Sequence, residues 1–210
     1  MNPQSRIAAL VHRPWLWALF FAIALAVHLG RAIATPAPPA LPELYSVPAF
    51  AFTDQQGRHF SSGSLKGKVW VANFIFTRCP TVCPLLTSQM AQVQQRTRNL
   101  GEAVHLVSFT VDPEHDTPEK LAAFARQYQA GPRSWSFLTG PREALQATLV
   151  DGLKVHMTRD GPADDLMSIG HANKFVLVDG QMRVRGYYGV EEPGALDRLV
   201  RDVGALINRG

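Results

Sequence analysis

Apolar residues fall in short blocks along most of the chain, and the spacing within each block separates strands from helices. "KVWVANFIF" (Lys68 to Phe76) and "VHLVSFTV" (Val104 to Val111) are near-continuous apolar runs. Runs of this length and composition predict strands buried on both faces, in the middle of a sheet. Between them a helix is expected from about Val82 to Asn99, closed by Gly101. "DTPEKLAAFARQY" (Asp116 to Tyr128) predicts a helix with a defined start: Thr117 as N-cap, Pro118 at the first position and Glu119 in the first turn. "WSFLTG" reads as a short strand and "PREALQATLVD" as a helix beginning at Pro141. "FAFTDQQGRHF" (Phe50 to Phe60) reads as a hairpin turning at Gly57. "KFVLVDGQMRVRGYY" (Lys174 to Tyr188) reads as two strands joined at Asp179-Gly180. A last helix is expected from about Pro193 to Asn208.

This order of elements is an α/β plan. A βαβ unit followed by an antiparallel hairpin and a closing helix predicts a thioredoxin-like fold, a central mixed sheet flanked by helices. There is no internal repeat and no second linker.

The N-terminus follows a different pattern. Arg6 and Arg13 precede the apolar run "WLWALFFAIALAV", Trp15 to Val27. Positive charge ahead of an apolar block predicts a targeting segment over residues 1–34 that sends the rest of the chain across a membrane. Two forms are open. One is an uncleaved signal-anchor, with the apolar stretch reaching Ile33. The other is a signal peptide cleaved near "AIA", Ala32 to Ala34. "TPAPPALPELYSVP" (residues 35–48) reads as an extended Pro-rich spacer, leaving 49–210 as the folded domain. Either form puts the domain on the extracytoplasmic, periplasmic side, where thiols meet oxidants.

Composition changes this picture little. The 210 residues are 46% hydrophobic and 18% charged, as in a globular protein. The net charge of +4 belongs largely to the N-terminus. Setting aside Arg6, Arg13 and Arg31 leaves 18 basic residues against 17 acidic ones. That balance gives no support for nucleic-acid binding.

The chemistry is concentrated in "FIFTRCPTVCP", Phe74 to Pro84, which holds the chain's only two cysteines, Cys79 and Cys83. They fall where the first central strand turns into its helix, the end at which open α/β sheets collect their sites. A zinc site would need two more ligands, and there is no other cysteine. A structural disulfide would close too short a loop to stabilise much. A redox dithiol and a soft-metal site remain open. In a regular helix, i and i+4 place Cβ atoms ~5–6 Å apart, whereas a disulfide needs about 3.5–4.5 Å. Oxidation therefore requires a non-helical turn, for which Pro80 is suited. Thiolates select Cu(I), and an imidazole also accepts Cu(II). The N-terminus of the following helix is expected to lower the thiol pKa. Of the seven histidines, His12 and His28 lie in the targeting segment, and His59, His105, His115 and His156 read as surface, strand or loop residues. His171, just before the strand that opens the C-terminal hairpin, faces the cysteine turn in a thioredoxin-like fold and is the candidate third ligand. Met157 and Met167 read as packing.

"FIFTRCPTVCP", "VDPEHDTPEKL" and "GHANKFVLVD" come in the order and spacing of the Sco/SenC family, which the chain resembles from about Phe50 to Tyr188. Its members are thioredoxin-like, membrane-tethered, extracytoplasmic copper-binding proteins that help assemble the copper centre of cytochrome c oxidase. The resemblance implies that Cys79, Cys83 and His171 bind copper, Cu(I) or Cu(II), and that a Cys79–Cys83 disulfide alternates with the dithiol. It implies a partner in the copper-bearing oxidase subunit or another copper protein. The family usually carries Asp before the metal histidine; here Gly170 stands there, and Asp164 and Asp165 are the nearest preceding carboxylates. "DPEHDTP" is expected to cap a helix, without a catalytic role. Two other functions compete with the chaperone, which has no turnover. A thiol–disulfide oxidoreductase would act on exported protein cysteines, but no proline lies between Pro162 and Pro193 to face the dithiol. A peroxidase would use Thr77 near Cys79, but the rest of that pattern is missing.

Overall fold

Two compact units, Met1–Ala40 and Leu41–Gly210, make up the computed structural model, which describes residues 14–34, 40–80, 82–155 and 173–208. In the first unit, Pro14–Ala34 forms one helix, α1. Its apolar side chains, Phe20, Phe21 and Leu25 among them, are exposed. Among the described residues no helix is long and apolar enough to cross a membrane.

The second unit is built on an eight-stranded sheet. Its strands are β1 (Tyr45–Ser46), β2 (Ala51–Asp54), β3 (His59–Ser61), β4 (Val69–Ile75), β5 (Val104–Thr110), β6 (Trp135–Thr139), β7 (Lys174–Val178) and β8 (Arg183–Gly189). They lie in the order β1-β8-β7-β4-β5-β6-β2-β3. β4 pairs parallel with β5 from Val69↔Val104 to Ile75↔Thr110, and β5 pairs parallel with β6. β7 runs antiparallel to β4. The crossovers are α2 (Val82–Thr97) and α3 (Pro118–Gln127); α4 (Arg142–Gln146) follows β6, and α5 (Ala195–Ile207) closes the chain. Every residue of β4 and β5 is buried, as expected of central strands covered on both faces. α2 and α5 pack against β4 and against each other, while α3 packs on β6. This is the thioredoxin-like plan that the sequence pattern predicts.

Three local features differ from the pattern. Tyr45–Ser46, within the expected spacer, pairs with β8 through Tyr45↔Val184 and Ser46↔Arg183. Arg185 fastens the same segment by donating from Nε to the Pro42 carbonyl at 2.9 Å and from Nη2 to the Leu41 carbonyl, while its Nη1 donates to Asp179 at 2.7 Å. The second difference is the β7–β8 turn, which spans Asp179 to Met182 instead of closing on Asp179-Gly180. Met182 carries the positive φ, 62°, and Asp179 Oδ1 accepts the Gln181 and Arg183 amides. Gly180 is needed for room: a Cβ there would sit 2.9 Å from the Gly67 backbone. The third is α4, which is shorter than expected and continues as a π-type turn over Ala147–Gly152.

Two polar groups stand inside the sheet. Ser108 donates to Asn73 at 2.6 Å across the β4–β5 pair, and Trp135 Nε1 donates to Ser108 at 2.9 Å. His105, buried in β5, lies 2.9 Å from Ser136 Oγ and packs on Phe60. Burial, aided by the charge of Lys68, pushes its pKa down to about 4. The unfolded chain then binds the extra proton first, between about pH 6.5 and 4. Stability is therefore full above about pH 6.5 and falls as the pH drops towards 4. We expect the unit to lose about 2 kcal/mol between pH 8 and pH 5 from this residue. His105→Gln should flatten that part of the profile in urea unfolding; an unchanged slope would assign the acid sensitivity to other groups.

Candidate metal and redox site

The site begins where β4 runs out. Beyond Ile75 the chain turns through Phe76, Thr77 and Arg78 to Cys79, and α2 starts at Val82, so Cys83 sits on its first turn. Cys79 and Cys83 are both buried and are not joined by a disulfide. Their backbone contacts interlock. The Cys79 amide donates to the Phe76 carbonyl at 3.1 Å. The Phe76 amide points to Cys83 Sγ at 3.5 Å, and the Cys83 amide points to Cys79 Sγ at 3.4 Å. Phe76 thus touches both cysteines through its own peptide groups.

Burial decides the state of Cys83. Its thiol pKa is raised, first by desolvation and then by Cys79 and the charge of Asp116, against the lowering contact with the Phe76 amide. The expected lowering by the helix N-terminus does not prevail, because a side chain 4% exposed has too little solvent to support a thiolate. A thiolate at Cys83 would need a nearby positive charge to offset the lost solvent.

The carboxyl ends of β4 and β5 lie side by side, so the loop after β5 meets the cysteine turn. Asp116, fully buried, accepts the Thr77 amide at 3.2 Å and the Thr77 hydroxyl at 2.6 Å, together with the Thr110 hydroxyl. Burial raises its pKa, outweighing the lowering hydrogen bonds from Thr110 and Thr77. Asp112 accepts Arg78 Nη2 at 2.8 Å and faces His115 Nδ1 at 3.2 Å. Burial works to raise Asp112, but Arg78 and His115 hold its carboxyl below the usual range. The capping role expected for "DPEHDTP" is present, since Thr117 accepts the Lys120 amide. The hold on the cysteine turn is what the sequence reading missed. Its available signal was an arginine and a threonine beside Cys79 and two acids at the end of the neighbouring strand.

His171 lies outside the described residues, as do His156, Met157, Asp164, Asp165, Met167 and Gly170. β7 runs antiparallel to β4, so the chain enters it at the cysteine end of the sheet. His59 is exposed on β3, and His105 belongs to the core. Among the described residues no group of three His, Cys, Asp or Glu side chains could hold a metal. The described part of the site therefore offers two buried sulfur donors, linked by the Cys83 amide. That set fits a soft monovalent cation such as Cu(I) better than a hard divalent ion.

The model of the SCO1/SenC family matches residues 41–208. The chain is 36% identical over 162 residues to the SCO1 protein homolog of Bacillus subtilis, covering 76% of this chain and 81% of that protein. It is 33% identical, again over 162 residues, to a Stutzerimonas stutzeri protein named as a candidate copper-binding protein, covering 77% and 76% of the two. Among solved structures, BsSco, described as a member of the Sco family of cytochrome c oxidase assembly proteins and as carrying a disulfide switch, superposes with a TM-score of 0.69. That match has 32% identity and covers 81% of this chain and 98% of the other.

Proposed function

Since the chain belongs to the SCO1/SenC family, we propose that it is an exported copper-binding protein that serves assembly of the copper centre of cytochrome c oxidase. Cys79 and Cys83 hold the ion and His171 supplies the third donor. The observation that carries this reading is the burial of two sulfurs side by side, each approached by a backbone amide, at the carboxyl end of the central strand. Basic residues ahead of an apolar run support export of everything from Leu41 onward, whether or not the segment is later removed. The partner is the copper-bearing oxidase subunit, to which the domain passes its ion.

A second reading follows from the same sulfur pair and from the disulfide switch of BsSco. As a thiol–disulfide oxidoreductase, Cys79 and Cys83 would give two electrons and two protons to a disulfide in an exported protein, becoming a disulfide themselves. The two readings part on metal.

Anaerobic Cu(I) titration of the full chain in detergent should give one tightly bound ion per chain. His171→Ala should weaken it by about tenfold or more, about 1.4 kcal/mol. Absence of tight 1:1 binding in the parent would sink the copper reading and leave the oxidoreductase. Equal affinity in the variant would remove only the histidine.

A further inference from the structure

Asp116 occupies an expensive position. It is fully buried, and its hydrogen-bond partners are the neutral donors Thr77 and Thr110. Among the described residues no cation is ion-paired with it. Burying a carboxylate without a cation is costly. Acids at helix starts ordinarily serve their own helix, but here Thr117 is the N-cap of α3 and accepts the Lys120 amide. The Asp116 side chain instead reaches the other loop.

What it holds is specific. Both Asp116 oxygens lie 3.2 Å from the Thr77 amide, and Oδ1 takes the Thr77 hydroxyl at 2.6 Å. The residue before Thr77 is Phe76, whose amide meets Cys83 Sγ and whose carbonyl takes the Cys79 amide. A chain of three contacts therefore runs from Asp116 through Thr77 to Phe76 and both cysteines. We propose that Asp116 is a positioning residue for the Cys79–Cys83 pair, fixing through Thr77 the Phe76 peptide groups against which both sulfurs are set. This rests on the reading of that pair as the working group of the protein.

The turn is held in its dithiol arrangement. Closing a disulfide needs the Cβ atoms drawn to about 3.5–4.5 Å, so a loosened Thr77 lets the turn close more readily. The same loosening spoils a preformed pair of donors for a cation. Asn keeps a carbonyl oxygen for Thr77, so Asp116→Asn should preserve the hold, whereas Asp116→Ala removes it.

The test uses the full chain with Asp116→Ala, Asp116→Asn and Thr77→Val. The dithiol–disulfide equilibrium is read against a dithiothreitol redox buffer, Cu(I) affinity by competition with a chromogenic chelator, and stability by thermal unfolding. Asp116→Ala should shift the equilibrium constant about tenfold towards the disulfide and weaken Cu(I) binding about tenfold. Thr77→Val should move both about threefold in the same direction, and Asp116→Asn should stay within threefold of the parent. If Asp116→Ala does not fold, Thr77→Val decides. An equilibrium constant within twofold of the parent, or moved towards the dithiol, overturns the proposal even if the unfolding temperature falls. A parent that binds no Cu(I) defeats the copper reading but leaves the dithiol measurement to decide this one.

Discussion

Cys83→Ser should abolish tight Cu(I) binding while leaving the fold in place. Cys83 is 4% exposed and sits on the first turn of α2, where the Phe76 amide approaches its sulfur at 3.5 Å. A serine hydroxyl can accept from that amide, so the backbone contact survives. A hydroxyl cannot replace a thiolate for a soft cation, because it is harder and stays protonated. We expect a loss of about a thousandfold in affinity, about 4 kcal/mol, with only ~1–2 kcal/mol lost from stability. The variant should also lack any intramolecular disulfide, since Cys79 is then the chain's one cysteine. Competition titration checks the first expectation and denaturant unfolding the second. Retention of affinity within tenfold of the parent would place the copper site elsewhere.

Phe109→Ala should be the most damaging core substitution for stability. Phe109 is fully buried near the carboxyl end of β5, paired with Phe74 on one side and Leu138 on the other. Its ring packs against Phe50 at 5.5 Å, Phe52 at 6.1 Å and Phe74 at 6.3 Å. Truncation removes the transfer energy of the ring and leaves a cavity that neighbouring strands cannot close, costing about 3–5 kcal/mol. That is a large share of a domain stability of roughly 5–15 kcal/mol. Phe109→Leu should recover more than half. Urea unfolding should show a lower midpoint at an unchanged slope. A loss below about 1.5 kcal/mol would mean that the aromatic cluster repacks. Because Phe109 is followed at once by Thr110, which donates to Asp116, this substitution should also perturb the cysteine turn.

The central strands, α2, α3 and the place of the cysteines at a strand end were legible because each depends on local pattern. The apolar runs of β4 and β5 are short and bounded by turn residues, which marks them as buried strands, and Thr117-Pro118-Glu119 starts a helix by its own chemistry. The β7–β8 turn was less legible. Asp179-Gly180 reads as a two-residue turn, but Asp179 is engaged by Arg183 and Arg185, and close approach of Gly67 sets the requirement for glycine. Tyr45–Ser46 was hidden by its prolines; only the free edge of β8 makes it a strand.

By itself the sequence determined the kind of chemistry: two thiols at the end of an apolar strand, followed by a helix start, with His171 placed before β7. It also determined the order of strands and helices, since periodicity and caps act over a few residues. Tertiary structure decided what surrounds the thiols. Whether Asp116 reaches Thr77 depends on β4 and β5 being parallel neighbours, thirty-odd residues apart in the chain, and no local pattern encodes that. The protonation of Cys83 was decided in the same way. A helix N-terminus favours the thiolate, but packing beneath the turn removed the water that a thiolate needs, and desolvation is the larger effect.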